Sequence, residues 1–436
     1  MSKLKKLIKN PELFLNDFIQ KRNIDTSSIS SIARTTLSKN FFNVKSKEIV
    51  DKKATLITSH TKLFTKTIHL LHTGEGLTHG PSHLEQWIGS FTRSDDSFAI
   101  LIRNKALFDW AFDKYPELSI VYARGANDVE NILNKLPFLL AIYYFSNTGN
   151  LIHTLRYNRY KHIFLGHGDS DKAASAHKFF RVYDEIWVSG QAHIDRFKNS
   201  NFNVDHIKFI KIGRPNLKNI LSHQLKLESK DSSKVKRIIY LPTWEGVYEE
   251  NNYSSVHLSC VMLNEVLKKF NYNLSIKFHP VMGSRDKTLK ALPNEVSEAF
   301  INNREQVSVF DKTVPLDSFI GSGDAFICDI SAAVSECIAT LAPVFLYMPN
   351  DRKIEISNSN MNYSDYTYTF SNIEQLLGLI DSVIVKGSDP LAEMRYKALD
   401  YLLTIDATLN DEFLNQLKII SKDSTLLNND RSRVIQ

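Results

Sequence analysis

Short runs of apolar residues recur along this chain of 436 residues, and they alternate with segments whose apolar positions follow a helical period. Clear examples lie at 97–103, 118–123, 139–145, 162–165 and 324–328. Strands that are apolar throughout, rather than at every second position, are typical of parallel sheets buried on both faces. The pattern therefore predicts an α/β protein, and its length favours two domains over one.

The alternation stops near residue 220 and resumes at 237, after a polar and lysine-rich stretch. This interruption predicts two Rossmann-like α/β domains that face each other across a cleft. The predicted parts, in chain order, are a basic amphipathic segment (1–22), a linker (23–53), a first α/β domain (54–220), a second α/β domain (237–385) and a C-terminal helical segment (386–436).

The composition narrows the classes of function. The net charge of +6 is too small to indicate a nucleic-acid partner. Three cysteines form neither a disulfide framework nor a paired metal-ligand pattern, which suits a reducing compartment. The N-terminus lacks the apolar core of a secretory signal, and no apolar run approaches the ~20 residues that span a bilayer. We therefore expect a cytoplasmic protein.

Residues 1–22 mix large apolar side chains with six cations. A segment of this kind can lie on an anionic surface, so we expect peripheral attachment to the inner face of the cell membrane. A helix docked on the protein's own first domain, with its lysines in water, fits the same residues.

A histidine follows one of the apolar runs. The run 162–165 ends at Gly166-His167-Gly168, and polar residues come next. Ligands of open α/β sheets sit beyond the carboxyl ends of the strands. An imidazole between two glycines is exposed there, and it titrates close enough to neutrality to take a proton from a hydroxyl. His167 is therefore a candidate general base, although a turn histidine that merely follows a strand fits the same peptide.

A lysine and a second histidine end the run 274–278 in the second predicted domain. Lys277 and His279 can bind phosphate oxygens, and His279 can also protonate a leaving phosphate. The alternative is a histidine packed under the turn that Pro280 stiffens.

Two further strand ends of this domain carry polar residues. Ser331 precedes a helix predicted at 332–340, so we expect it to cap that helix beside an anion site. Glu336 can reach a ribose hydroxyl pair, or it is a solvated helix residue. Thr243 and Trp244 share a tight loop, where the indole either stacks on a base or caps the core.

Taken together, these motifs resemble the CDP-glycerol glycerophosphotransferase family, the polymerases and primases of teichoic acids and related capsule polymers. The resemblance covers about residues 80–350. It rests on six motifs that follow one another in the family's order: LGHGDSDKAAS, VYDEIWVSGQAHIDRF, IGRP, YLPTWEG, KFHP and DISAAVSE.

The resemblance implies a GT-B transferase that moves glycerol phosphate, or a related polyol phosphate, from a CDP-activated donor to a hydroxyl of a growing polymer or lipid-linked acceptor, and releases CMP. The second domain would bind the donor and the first the acceptor. No cofactor is implied, and no metal, because the family does not use a pair such as Asp169 and Asp171 as a metal site. The implied residues are, for catalysis, His167 and His279; for the donor, Thr243, Trp244, Lys277, Asp329, Ser331 and Glu336; and for the acceptor or phosphate, Gly168, Asp169, Lys172 and Arg214.

The chain departs from the family pattern at two positions. Ala332 stands where the family has a second serine, and Glu336 is longer than the aspartate often found there. These departures leave the donor open. One alternative is a GT-B glycosyltransferase that uses a nucleotide sugar in capsule or cell-surface polysaccharide synthesis, and another is a non-catalytic partner in a capsule-assembly complex.

Overall fold

The computed structural model describes residues 66–168, 170–172, 175–227, 236–311, 314–357 and 359–423, without the side chains of 223–227. The predicted segments 1–22 and 23–53 and the first residues of the predicted first domain lie outside this part of the chain. Within it, no helix is both long enough and apolar enough to cross a bilayer.

The first half of the described chain forms a parallel sheet of seven strands in the order β3-β2-β1-β4-β5-β6-β7. The order reverses between β1 and β4, as in doubly wound folds. The elements are β1 (His69–Thr73), α1 (Gly80–Thr92), β2 (Phe98–Ile102), α2 (Lys105–Lys114), β3 (Ile120–Tyr122), α3 (Ala126–Leu133), β4 (Ala141–Tyr144), α4 (Ile152–Leu155), β5 (Lys161–Phe164), β6 (Glu185–Val188), α5 (Gln191–Lys198), β7 (Lys208–Lys211) and α6 (Leu217–Leu227).

The second half repeats this arrangement with six parallel strands in the order β10-β9-β8-β11-β12-β13. Its elements are β8 (Arg237–Leu241), α7 (Ser259–Lys269), β9 (Asn273–Lys277), α8 (Leu292–Ala299), β10 (Val307–Phe310), α9 (Asp317–Ile320), β11 (Ala325–Asp329), α10 (Ala333–Ile338), β12 (Val344–Tyr347), α11 (Tyr363–Tyr366), β13 (Tyr368–Phe370) and α12 (Ile373–Ile380), which a π-helical turn (Asp381–Val385) extends. Three helices follow: α13 (Ala392–Leu403), α14 (Ile405–Leu409) and α15 (Glu412–Ser421).

The central strands are buried along their whole length, which is why they read as continuous apolar runs. Every residue of β4, β11 and β12 is buried. Side chains on alternate faces of each strand pack under helices on both sides of the sheet. The two parallel sheets confirm the predicted fold class.

The last helix, α15, returns to the first sheet. Phe413 in α15 packs against Trp87, Phe91 and Trp187, with ring centroids 5.4, 5.1 and 5.8 Å away. Ser421, at the end of the same helix, donates a hydrogen bond to Asp96. Within the C-terminal segment, for which the sequence indicated no site chemistry, α15 thus completes the core of the first half, whereas Ala398 and Leu402 of α13 pack with residues of the second sheet.

Candidate functional site

The carboxyl ends of the two sheets meet at a cleft. Lys172 follows β5 in the first half, and its Nζ donates to Oγ1 of Thr243, which follows β8, over 3.0 Å. Gly168 lies so close to Ala332 that an added Cβ would come within 2.8 Å of the Ala332 Cβ. The carboxyl edges of the two sheets, where ligands bind in open α/β sheets, therefore face the same space.

His167 projects from the loop after β5. Gly166 has a φ of +67°, a value that favours glycine, and its carbonyl accepts a 2.7 Å hydrogen bond from the indole of Trp87. Nδ1 of His167 lies 2.8 Å from the carbonyl oxygen of Phe145. Because a carbonyl only accepts, Nδ1 must carry the proton of a neutral ring, and Nε2 keeps its lone pair. This tautomer suits a base.

A histidine that the sequence analysis did not single out lies against His167. The ring of His83 stacks on that of His167 with centroids 3.8 Å apart and planes 12° apart. Nδ1 of His83 lies 2.8 and 3.0 Å from the two carboxylate oxygens of Glu75. The ring of His79, one turn earlier, stacks on His83 at 5.9 Å. The i, i+4 spacing of His79 and His83, at the N-terminus of α1, was the signal available in the sequence.

The surroundings of these groups shift their pKa values. Desolvation and the neighbouring His83 lower the pKa of His167, although solvent still reaches the exposed ring. For Glu75, desolvation is the largest single influence and raises the pKa, but the hydrogen bond and charge of His83, together with His167 and Ser146, outweigh it, so the net pKa is lowered. At neutral pH the structure thus favours an ionised Glu75 and a neutral His167.

His279 occupies the equivalent edge of the second sheet, after β9. Its Nδ1 accepts a hydrogen bond of 3.4 Å from the backbone N–H of Val281, so Nε2 carries the proton of the neutral ring. Desolvation, with the positive charges of Lys172 and other neighbours, lowers the pKa of His279 to about 3. The ring of Trp244 is stacked beside it at 6.4 Å. His279 is therefore placed to donate a hydrogen bond rather than a proton.

A buried carboxylate that we had not assigned supports this loop. Glu245 accepts hydrogen bonds from the backbone N–H groups of Gly283, Arg285 and Asp286, at 3.1, 2.7 and 3.0 Å. Desolvation tends to raise the pKa of Glu245, but these backbone hydrogen bonds lower it overall. The YLPTWEG motif thus fixes the turn that follows His279.

Asp329 lies beneath the donor-side loops. It is fully buried, and its Oδ2 accepts hydrogen bonds from the backbone N–H groups of Thr243 and Ser255, at 2.8 and 3.0 Å. Desolvation raises the pKa of Asp329 to about 6 and lowers that of Lys172 to about 8. Asp329 holds the loop that carries Thr243; its direct contact with a donor stays a prediction, as does that of Trp244.

Two predicted phosphate ligands are arranged differently from the expectation. Nζ of Lys277 donates to the carbonyl of Asp311 over 3.0 Å. The expectation that Ser331 caps the next helix is wrong, because α10 begins at Ala333, has Ala332 at the N-cap position and has no side-chain cap. The hydroxyl of Ser331 is half-buried at the rim of the cleft instead.

Glu336 and Arg214 connect the halves of the molecule to each other and to the last helices. Oε1 of Glu336 accepts a 3.0 Å hydrogen bond from Asn216 in the first half. Arg214 is buried, and its backbone N–H donates to Oγ1 of Thr408 in α14 over 3.0 Å. A structural role is thus visible for both, and their ligand contacts stay predictions.

Asp169 and Asp171 form the acidic pair that follows Gly168. Asp169 lies outside the described residues, whereas Asp171 forms a buried ion pair with Arg196, with Nε and Oδ1 2.6 Å apart. Across the described ranges, no group of three or more His, Cys, Asp or Glu side chains is arranged to hold a metal ion.

No protein-family model matches the chain, and no curated protein matches it. Solved structures do. The chain is similar to the wall teichoic acid polymerase TagF (14% identity, 89% of this chain and 97% of that chain, TM-score 0.53). It is also similar to a glycosyltransferase from Rickettsia africae ESF-5 (15% identity, 84% and 100%, TM-score 0.50) and to Anabaena HepE in complex with UDP (10% identity, 81% and 99%, TM-score 0.51).

At sequence identities of 10–15%, these similarities are evidence for the fold alone. Two parallel sheets, each with the doubly wound strand order, face each other at their carboxyl ends, and the last helix returns to the first sheet. The chain therefore has the GT-B fold of glycosyltransferases.

Proposed function

We propose that the protein transfers glycerol phosphate, or a related polyol phosphate, from a CDP-activated donor to a hydroxyl of a growing teichoic-acid-like or capsule polymer, and releases CMP. The observation that carries this proposal is the pairing of His167 and His279 on facing sheet edges. Hydrogen bonding leaves Nε2 of His167 as an acceptor and Nε2 of His279 as a donor.

The transfer needs an activated nucleophile and a stabilised leaving group. Nε2 of His167 takes the proton of the acceptor hydroxyl while the oxygen of that hydroxyl forms a bond to the β-phosphorus of the donor. The bond from that phosphorus to the bridging oxygen breaks, and CMP leaves with the electron pair. Nε2–H of His279 and the ammonium of Lys172 stabilise the phosphate charge. Because the pKa of His279 is about 3, we assign it a hydrogen bond to phosphate, not proton transfer.

Two further observations support a CDP-activated donor. The six motifs resemble the CDP-glycerol glycerophosphotransferase family, and five of the six contain a residue that the resemblance assigns to the site. A structure of a TagF variant soaked with CDPG is also similar in fold (14% identity, TM-score 0.53).

A nucleotide sugar is the second candidate donor. Ala332 gives the cleft a methyl group where the family has a hydroxyl, and this methyl packs against Gly168. One hydroxyl ligand to the pyrophosphate is thereby missing, and since CDP-glycerol and a UDP-sugar both carry a pyrophosphate, this difference leaves the choice of donor open.

Nucleotide release separates these candidates. The purified full-length protein is incubated with CDP-glycerol, CDP-ribitol or UDP-sugars and a hydroxyl-bearing polymer, and CMP, UDP and elongated product are measured. CMP release that depends on both acceptor and His167 supports the proposal. Release of UDP alone would establish the sugar transferase, and no release from any donor would favour a non-catalytic partner.

We also propose that residues 1–22 attach the enzyme to the inner membrane surface, near a lipid-linked acceptor. Six cations and several large apolar residues in this segment support the proposal. Deletion of 1–22 should abolish co-sedimentation with anionic vesicles and leave activity on a short soluble acceptor intact. A lowered melting temperature, with no vesicle binding by the intact protein, would instead indicate a helix docked on the first domain.

A further inference from the structure

The stack of His83 on His167 is built by the fold, not by sequence proximity. His83 lies in α1, and His167 follows β5. Glu75, in the loop after β1, fixes the other edge of His83 through both of its carboxylate oxygens. With ring centroids 3.8 Å apart, no water or ligand fits between the two imidazoles.

The carboxylate and the imidazole that it holds are shielded from solvent. The side chain of Glu75 is 8% exposed and that of His83 14%. Charges that are partly withdrawn from water act more strongly on their neighbours than surface charges do. Two stacked imidazoles also resist carrying a proton each, because like charges at this distance repel.

We propose that Glu75 and His83 are positioning residues for His167: Glu75 holds His83 flat against the ring, and a proton on His83 opposes a second proton on His167. His167 is thereby kept able to accept the proton of the acceptor hydroxyl. The inference rests on the proposed role of His167 as general base.

Other charged groups also face His167. Desolvation is the largest cause of its lowered pKa, and the positive charge of His83 comes next. The Phe145 carbonyl and Glu75 act in the opposite direction, and Arg214 lowers the pKa further. His279 faces it from the second half. Of these groups, His83 is the one in ring contact.

Removal of the imidazole should raise the pKa of His167. In His83→Gln the repelling charge is lost, and the Glu75 carboxylate is no longer neutralised, so both changes favour a proton on His167. In His83→Gln/Glu75→Gln the carboxylate of Glu75 is also absent, so the pKa of His167 should be lower than in His83→Gln. This reversal is not expected if His83 only supports the local structure.

The measurement is a pH titration of the full-length protein with ¹⁵N-labelled histidine by NMR, in which His167→Gln identifies the His167 signals. His79→Gln is the matched control, since His79 lies in ring contact with His83 but not with His167; it should leave the titration of His167 unchanged. His83→Phe keeps a stacked ring without a charge, and replaces His83→Gln if that variant unfolds.

Turnover gives a second measurement. If the pKa of His167 returns to the ordinary value of about 6.5 in His83→Gln, then kcat/KM of this variant at pH 5.5 should be about tenfold lower than at pH 8. The reason is that only about a tenth of the His167 side chains are neutral at pH 5.5. An unchanged His167 titration in both His83 variants would overturn the inference. If no donor is turned over, the proposed function fails, and the NMR titration still decides whether His83 controls His167.

Discussion

Nζ of Lys172 donates a 3.0 Å hydrogen bond to Oγ1 of Thr243 and so joins the loop after β5 to the loop after β8. A second connection between the halves runs through the backbone, because the N–H of Ser357, in the segment after β12, donates to the carbonyl of Asp171 over 2.6 Å. A cation from one half thus reaches the loop that Asp329 anchors in the other. Phosphate oxygens bound there would contact side chains of both halves.

Substitution of Lys172 should weaken donor binding. Lys172→Met removes a charged hydrogen-bond donor worth about 1.5–3 kcal/mol, so KM for the donor should rise roughly 10- to 100-fold. Since the pKa of Lys172 is lowered to about 8, its charge is lost as the pH rises through 8. KM for the donor should therefore increase between pH 7 and 9 in the wild type. Lys172→Arg, which stays charged, should show no such increase; an identical rise in that variant would contradict the assignment.

Removal of the candidate base should abolish most turnover. His167→Ala is expected to lower kcat by roughly 100-fold or more, the usual contribution of general base catalysis. His206→Ala is the matched control, because His206 is exposed and contacts only the carbonyl of Arg181 among the described residues. Steady-state rates at saturating donor and acceptor give the comparison. Near-normal turnover in His167→Ala would exclude its role as base.

The close approach of Gly168 and Ala332 predicts a compensating pair of substitutions. Gly168→Ala places a Cβ 2.8 Å from the Ala332 Cβ, so the two edges of the cleft must separate and activity should fall. Ala332→Gly removes the obstructing methyl group and should restore part of the activity in the double variant; the remaining loss reflects a side chain at the φ of +159° that Gly168 adopts. Rates and melting temperatures of both single variants and the double variant test this. Equal loss in Gly168→Ala and in the double variant would mean that the contact does not limit function.

Asp329→Asn should stabilise the protein at neutral pH. The carboxyl has a pKa of about 6, above its unfolded value, so the folded state binds its proton more tightly. Stability from this group is present below about pH 4 and is lost as the pH rises through 6, at a cost of roughly 3 kcal/mol. An asparagine oxygen can accept the same two backbone hydrogen bonds without a charge. The melting temperature of Asp329→Asn minus that of the wild type should therefore grow from pH 4 to pH 7; a difference that shrinks would reverse the sign assigned here.

The C-terminal helix should be required for the stability of the first sheet. Phe413→Ala removes a ring that contacts three aromatic side chains and should cost about 3–5 kcal/mol in the free energy of unfolding. Ile419 lies in the same helix but is 54% exposed, so Ile419→Ala should change stability by no more than about 0.5 kcal/mol. Urea denaturation measures both. Similar values for the two variants would show that α15 does not contribute to the core.

Much of the fold could be predicted from the sequence because the central strands are buried on both faces and therefore consist of continuous apolar runs. The sequence pattern indicates an amphipathic segment around 105–115 and predicts a helix at 256–270, and the structure has helices at Lys105–Lys114 and Ser259–Lys269. The helix predicted from 332 to 340 is shorter, Ala333–Ile338, and lacks one residue at its start and two at its end. The local sequence pattern predicts that a helix or strand is present, whereas tertiary packing determines the residues at which it begins and ends.

Site residues at strand ends could be predicted for a related reason. The carboxyl ends of parallel strands share one edge, so His167, Thr243 and His279 had to lie at sheet edges once the strands were assigned. The partners of these side chains could not be predicted. Nothing in the order of the chain indicates that Lys172 reaches Thr243, or that Glu245 receives three backbone N–H groups from the turn after His279.

The sequence by itself determined the periodicity of burial, and through it two parallel sheets with polar residues at their carboxyl edges. Only the tertiary structure decided which imidazole nitrogen each site histidine offers and that His83, which Glu75 holds, lies against His167. The reason is physical. Strand and helix formation depend on neighbours within a few residues, whereas the tautomer and charge of an imidazole depend on groups that the fold brings from tens of residues away.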